Sequence, residues 1–491
     1  MKKLLLISTF ALGLGFTSCD SFMDINVNPN SPSEGQLSAG MIFPAAEMNV
    51  ATSYGDYLRI VGGYYSEIYA HLNGTENYVD YSQFSQSATR CSGTYAQLYQ
   101  RGLNSLKTVS EKASASGEWG TYLAAITMRA FTYQVLVDCW GEVPYTEALT
   151  EITSPKYDDG ATIYEGVLAE LDEALSKVSS TDVVCTNFLY PGETAGNWIR
   201  FANAVKLRIL MRMSGVKDVK SQIAALIQEN NFPKSDVQYA GCWSNESGKR
   251  SPFFAEEFQD GMQKNIAANL AIIGTMQTDN YTDPRLAAYF LVNSEGKYKG
   301  SVSGTNYPST TSLTKWCRPA NSYDMPVVLY TVAETEFFKA EYFARNGSSA
   351  DAAAAYAAAI EASFASAGVD GAAEYLAVYP YNQAQFEKTI GIAKWVHLSG
   401  MNTFEAWCEL RRLNYPAFGS KKGEDFYTIG DDGSFNTSEY EPGTLYSPIQ
   451  VFGQVGQNKL LERFPYAESS SSRNENIPDF PGYTTPVFWG K

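Results

Sequence analysis

Three features of the chain predict a mostly α-helical scaffold of paired helices with a loop-rich insert and a few short strands. Apolar residues recur at helical spacing over about 37–230 and about 325–415. Between these blocks, about 231–325 is rich in Ser, Gly, Thr, Asn, Tyr and Trp and has few sustained periodic runs. From Pro416 onward the chain is again loop-like, with Gly430-Asp431-Asp432-Gly433 and the run Ser469 to Ser472. The expected division is 1–18 as an export signal, 19–36 as an extended lead, and 37–491 as a single domain.

The export signal is carried by Lys2 and Lys3, then by an apolar run from Leu4 to Phe16 that is too short to span a membrane. It ends in Phe16-Thr17-Ser18-Cys19, which looks like a bacterial lipoprotein box; on that basis Cys19 becomes the first mature residue and carries acyl chains. Each buried methylene adds about 0.8 kcal/mol of membrane affinity, so several chains hold a protein on the membrane surface. The lead that follows is rich in Asn, Pro and Ser.

In the first block, Ala96–Lys112 is expected to pair with Tyr122–Cys139, and Ile163–Val178 with Trp198–Met213. Trp198, Ala202, Val205 and Ile209 form a core stripe. Arg200, Lys206, Arg208 and Arg212 on that helix fit a solvated or salt-bridged face better than an anion site. In the second block, Val332, Ala333, Phe337, Ala340 and Ala344 share a face that Asn346-Gly347 terminates. Asp351–Phe364 follows, and this helix–turn–helix with small contact residues looks like a tetratricopeptide-type hairpin. A last pair covers Gln383–Leu398 and Met401–Leu413.

Composition narrows the function. The formal charge is −16, which phosphate backbones and anionic lipids repel, so nucleic acid is not an expected partner. No CxxC pair occurs and there are two histidines, so a Cys/His zinc site has no support. Asp431-Asp432-Gly433 lacks the longer ligand pattern of a calcium loop, and no cofactor is expected. Cys242 and Cys317 both adjoin tryptophan in loop-rich segments; a disulfide and buried free thiols are both open there.

Six segments in order resemble the SusD/RagB family of outer-membrane nutrient-binding lipoproteins. Trp140-Gly141-Glu142-Val143-Pro144-Tyr145 looks like that family's "(W/Y)G-x-VPY" turn, and Trp198 to Arg212 resembles its "W-x-x-(F/L)-A-N-x-(V/L)-K-x-R" helix. Asp283-Pro284-Arg285 recurs in the family. Ala333-Glu334 with Ala340-Glu341, Lys394-Trp395 with Glu405-Ala406-Trp407 and Arg411-Arg412, and Arg463-Phe464-Pro465-Tyr466 with Asn474 match its later motifs. These motifs read as architecture: Glu334, Glu341, Arg411 and Arg412 are expected to form partly buried ion pairs. The resemblance implies a non-enzymatic cell-surface binding protein that hands an oligosaccharide to a SusC-like TonB-dependent transporter. A peptide cargo is the alternative, and a helical glycoside hydrolase a more distant one, since nothing in the chain marks a pair of carboxyls for it.

An oligosaccharide site needs aromatic faces for C–H surfaces and polar groups for the hydroxyl rim. Aromatics make up 14% of residues, and 33 Tyr against 26 Phe means that most carry a polar handle. Two clusters supply the candidates. One is Tyr64, Tyr65, Tyr69, Tyr78 and Tyr81, of which Tyr78 and Tyr81 are the predicted contacts. The other is Trp243, Asn245, Tyr281, Tyr298, Trp316, Arg318, Asn321 and Tyr323 in the insert. Trp316→Ala is expected to weaken binding with little change in Tm.

Overall fold

The computed structural model describes residues 37–72, 77–257, 265–304, 315–426 and 436–491. The export signal, Cys19, the lead and Asp431-Asp432-Gly433 therefore lie outside the described residues. Among those described, no helix is long and apolar enough to cross a membrane.

The scaffold is helical, and its hub is Trp119–Trp140. This helix is buried around nearly its whole circumference, as its largely apolar and small-residue sequence requires, with Arg129, Gln134 and Asp138 as the polar exceptions. Asn104–Ser116 packs on it, in the predicted pairing. Gly160–Lys177 also packs chiefly on the hub and only secondarily on Gly196–Met213, its expected partner. The reason is that the hub has apolar surface on all sides, whereas Gly160–Lys177 has a single stripe, Ile163, Tyr164, Val167, Leu171 and Ala174, to bury.

The later pairs fall where the periodicity put them. Val332–Asn346 packs on Ser349–Ala367, and Phe386–Met401 on Thr403–Leu413. Val332–Asn346 opens with a capping box, Thr331 with Glu334, and stops at Gly347, whose φ of 100° suits glycine. Asn402 caps the last helix by accepting a hydrogen bond from the Glu405 backbone N–H.

The insert contains short pieces only. Val237–Tyr239 pairs antiparallel with Val327–Tyr330, Tyr69–His71 with Ile266–Ala268, and Phe290–Leu291 with Arg318–Pro319. Short helices Pro252–Glu257, Leu270–Met276 and Arg285–Tyr289 lie between them. One large apolar core draws residues from Ala39 to Trp489, so helices, insert and tail share it. A smaller separate core holds the repeat around Phe337, Tyr356, Phe364 and Tyr375. The six cysteines described are free thiols, Cys242 and Cys317 included.

The motif residues carry this architecture. Trp140 Nε1 donates to the Pro465 carbonyl (3.0 Å), and the Phe464 amide donates to the Cys139 carbonyl (2.7 Å). Phe464 stacks on Trp407 at 5.3 Å and meets Trp140 edge-on at 5.4 Å. Segments more than 300 residues apart are thus clamped together by their most specific side chains. Gly141 makes the clamp possible: its φ is 79°, and a Cβ there would sit 1.9 Å from an Arg463 guanidinium nitrogen.

Of the four basic residues on Gly196–Met213, Lys206, Arg208 and Arg212 are salt-bridged, the last two in the interior, while Arg200 donates to Asn197 Oδ1 (2.8 Å). Arg208 pairs with Glu334 (2.8 Å) and Glu405 (3.2 Å), and Arg212 bridges Asp138 and Glu405, all with side chains fully shielded. Arg412 binds Glu341 (2.5 Å) and Glu409 (2.7 Å), and Lys394 also reaches Glu409 (2.9 Å). Arg411 departs from the expected ion pair. It donates to the carbonyls of Asp138 and Glu462 and lies 3.6 Å over the Trp407 ring. Asp138, Glu405 and Cys408 converge as three groups able to ligate metal, but the Arg212 guanidinium already bridges the two carboxylates.

Candidate functional site

Between the first two helices, Ala39–Ser53 and Arg59–Tyr65, the chain widens into a π-helical turn at Tyr54–Leu58. Such turns displace side chains from the regular helical phase. Gly55 in this turn packs so closely on Val327 that a Cβ would lie 2.6 Å from its Cγ2. The next residue, Asp56, opens onto a surface cleft of about 340 Å³.

The cleft is lined by Thr52, Asp56, Trp243, Ser247, Gly248, Arg250, Ala255 and Glu256 among others. Its volume lies within the range typical of small-ligand sites. Trp243 is half-buried, and its indole N–H donates to the Tyr239 carbonyl (3.0 Å), which fixes the ring at the end of the Val237–Tyr239 strand. Residues 244–249 close a turn through the Ser244 amide to the Lys249 carbonyl (2.8 Å), and this turn contributes Ser247 and Gly248 to the lining. Glu256 projects from the short helix Pro252–Glu257.

The cleft gathers several ionisable groups. Burial, reinforced by the charge of Glu256, pushes the Asp56 carboxyl up to about 7. Tyr78 donates to Glu256 Oε1 at 2.7 Å, and burial together with that bond keeps its hydroxyl protonated well above the usual phenol range. The Arg250 guanidinium lies 5.8 Å from the Phe254 ring centroid. Two carboxyls, a guanidinium and an indole face thus share one opening, a set that can accept from and donate to hydroxyls beside an apolar platform.

A family model described as starch-binding associating with outer membrane matches residues 29–428, most of the chain. The chain belongs to the SusD-like family. Among solved structures, a SusD homologue from Bacteroides uniformis is similar over 92% of this chain and 99% of its own, with TM-score 0.72 and 20% identity. A SusD-like protein from Bacteroides thetaiotaomicron covers 91% and 99% at TM-score 0.70 and 18% identity. A structure described as a chitin-binding protein covers 91% and 99% at TM-score 0.71 and 19% identity. At these identities the likeness shows the fold. No curated protein matches.

In this SusD-like chain the predicted contacts disperse. Trp243 lines the cleft, and Asn245 is exposed on the adjoining turn. Tyr78 reaches the cleft only through Glu256, since its ring is buried and stacked at 5.4 Å on Tyr81. Tyr81, 2% exposed, is interior, so its expected ligand contact is corrected. Tyr64, Tyr65 and Tyr69 are interior as well and pack with Tyr81 in one aromatic core. Tyr323 is 40% exposed, packs edge-on to Phe254, and accepts the Ser251 amide at its carbonyl, beside Arg250.

The remaining candidates fall outside the cleft. Trp316 is 1% exposed and belongs to the core, so it offers no face to a ligand, and the expectation of an unchanged Tm is corrected with it. Tyr298 packs against that core, and Arg318 is held in the two-residue strand opposite Leu291. Both side-chain polar atoms of Asn321 are buried without a hydrogen-bond partner among the described residues, away from the cleft lining. Tyr281 lies against Tyr375 and Tyr379 in the second core. Asp56, Arg250 and Glu256 went unnoticed in the sequence. The available hint was a lone acid inside the apolar aromatic run Tyr54-Gly55-Asp56-Tyr57.

Proposed function

We propose that this protein is a cell-surface lipoprotein, anchored through Cys19, that captures a neutral oligosaccharide in the Asp56–Trp243–Glu256 cleft. It delivers that cargo to a SusC-like TonB-dependent transporter and breaks no bond itself. The observation that carries this reading is the indole of Trp243 set beside two carboxyls and a guanidinium in one open cleft. A pyranose ring lays its C–H face on the indole while its hydroxyls donate to Asp56 and Glu256 and accept from Arg250. The family's description as starch-binding and a structural relative's as chitin-binding support the cargo class.

Titration calorimetry with maltoheptaose, chitohexaose and a tryptone peptide mixture tests this. Trp243→Ala is expected to weaken binding of the preferred glycan at least tenfold, about 1.4 kcal/mol. Asp56→Asn is expected to weaken it by a smaller factor while thermal unfolding stays near that of wild type. Unchanged glycan binding in both variants would overturn the site, and heat from tryptone alone would favour a peptide cargo. Steady release of shorter sugars, abolished by Glu256→Gln, would instead make the carboxyl pair catalytic.

A further inference from the structure

A second cleft, of about 540 Å³, opens in the helical repeat and shares no residue with the first. It lies between Ser349–Ala367, the end of the short helix Ala372–Val378, and the start of Phe386–Met401. Pro380 follows the first short helix, and Asn382 caps the next turn by accepting the Ala384 amide at 3.0 Å. The connection between the two helices is exposed at Pro380 and over 382–385, while Tyr379 and Tyr381 pack against the smaller core.

The floor is aromatic. Tyr356 and Tyr375 are buried, while Tyr379 and Tyr381 are half-buried and turn partly exposed rings to the opening. Tyr375 and Tyr379 lie 5.0 Å apart, and Tyr356 and Tyr381 5.8 Å. Tyr281, the insert residue that had no place at the first cleft, packs edge-on to Tyr379 at 5.8 Å. Its hydroxyl is buried without a hydrogen-bond partner among the described residues. The rim is amide and hydroxyl: Asn382, Gln383, Gln385 and Thr389, with Lys388 as its one charged group.

That chemistry is selective. With no carboxylate in the lining, the cleft has nothing to neutralise a cation, and one exposed lysine is a weak trap for an anion. Aromatic faces bordered by neutral amides suit a ligand with apolar C–H faces and many hydroxyls. From this geometry we infer that the Tyr356–Tyr381 cleft is a second binding site for a neutral oligosaccharide. It would give the protein two independent grips on glycan, with a gain in avidity for any chain long enough to span both clefts. This extends the glycan reading above and rests on it.

Titration calorimetry and crystal soaks with maltoheptaose and chitohexaose decide the matter on four proteins: wild type, Trp243→Ala, Ala384→Trp and the Tyr379→Ala/Tyr381→Ala pair. Ala384 is exposed at the mouth, so an indole there blocks the cleft from outside the core. The expected result is two sites in wild type, one surviving in Trp243→Ala, and the other surviving in Ala384→Trp. The double tyrosine variant should lose the same site as Ala384→Trp at least tenfold, with circular dichroism reporting retained helix. If both cleft variants bind like wild type, the second site is overturned while the first stands on Trp243→Ala. Tryptone heat suppressed by Ala384→Trp without any sugar effect would also overturn it, in favour of a peptide groove. No heat from either sugar with any protein overturns both sites.

Discussion

At the residue scale, the difference between a ligand platform and a core filler is which atoms remain open. Trp243 and Trp316 both sit in the insert, in polar and loop-rich sequence, yet one lines a cleft and the other is enclosed. Two ammonium groups, Lys299 and Lys315, lie 5.2 and 5.6 Å from the Trp316 ring centroid and help to seal it. Trp316→Ala is accordingly expected to cost about 3–5 kcal/mol of stability, measured by denaturant unfolding, because truncation leaves a cavity. An unchanged midpoint would return Trp316 to the surface.

At the element scale, the helices are tied together by buried charge as much as by apolar stripes. Arg212, on Gly196–Met213, joins Asp138 of the hub helix to Glu405 of Thr403–Leu413. Burial raises the Asp138 carboxyl above its usual range while the Arg212 charge opposes that rise. Trp489 Nε1 also donates to Asp138 at 3.0 Å, so the tail closes over the same acid. Replacing Arg212 with Met would leave buried Asp138 without a cation and Glu405 with Arg208 alone. A loss of about 3–5 kcal/mol is expected, read as a lowered Tm. The variant Arg212→Met/Asp138→Asn, which keeps an acceptor for Trp489 and leaves Glu405 to Arg208, should recover part of that loss if burial of unpaired charge is the cause. These motif residues are therefore what the fold depends on, and none of them lines the first cleft.

At the scale of the whole molecule, buried ionisable groups set opposing slopes of stability against pH. His397 is fully enclosed, with its ring nitrogens 2.9 Å from Thr331 Oγ1 and 2.8 Å from Ser363 Oγ. Burial first, and then the Arg285 and Lys394 charges, push it down to about 3. The unfolded chain takes up its proton near 6.5 and the folded chain only near 3, so stability falls as pH drops through that window. Glu47 acts in the opposite sense. Burial pushes its carboxyl up to about 8, so the folded chain holds a proton that the unfolded chain has lost, and stability falls as pH rises from about 4.5 to 8. Thermal unfolding across pH 3–9 is expected to give a maximum in the mildly acidic range. Glu47→Gln should lessen the fall between about pH 4.5 and 8 without removing it, because Asp56, pushed up to about 7, adds to the same slope. A variant profile that parallels wild type on both sides would remove Glu47 from this account.

The helices, most of their pairings, their stops and the family motifs were legible along the chain, because each rests on local rules: a 3.6-residue apolar period, a capping residue, a glycine at a turn. The exception was Gly160–Lys177, which took the hub helix as its chief partner. The motifs were legible also because dense interior contacts demand particular side chains, as Gly141 against Arg463 and Trp140 against Pro465 show. Tertiary structure alone brought the cleft residues together. Asp56 comes from the first helical connection and Glu256 from the insert, 200 residues later, and their carboxyls meet only after the insert folds back on the scaffold. Tyr281 and Trp316 were separated from Trp243 in the same way, one drawn to the repeat and one into the core. An aromatic side chain in a polar loop has the same local signature whether it stacks on a sugar or on its own interior. Its exposure is set by contacts distant in sequence, which no local pattern encodes.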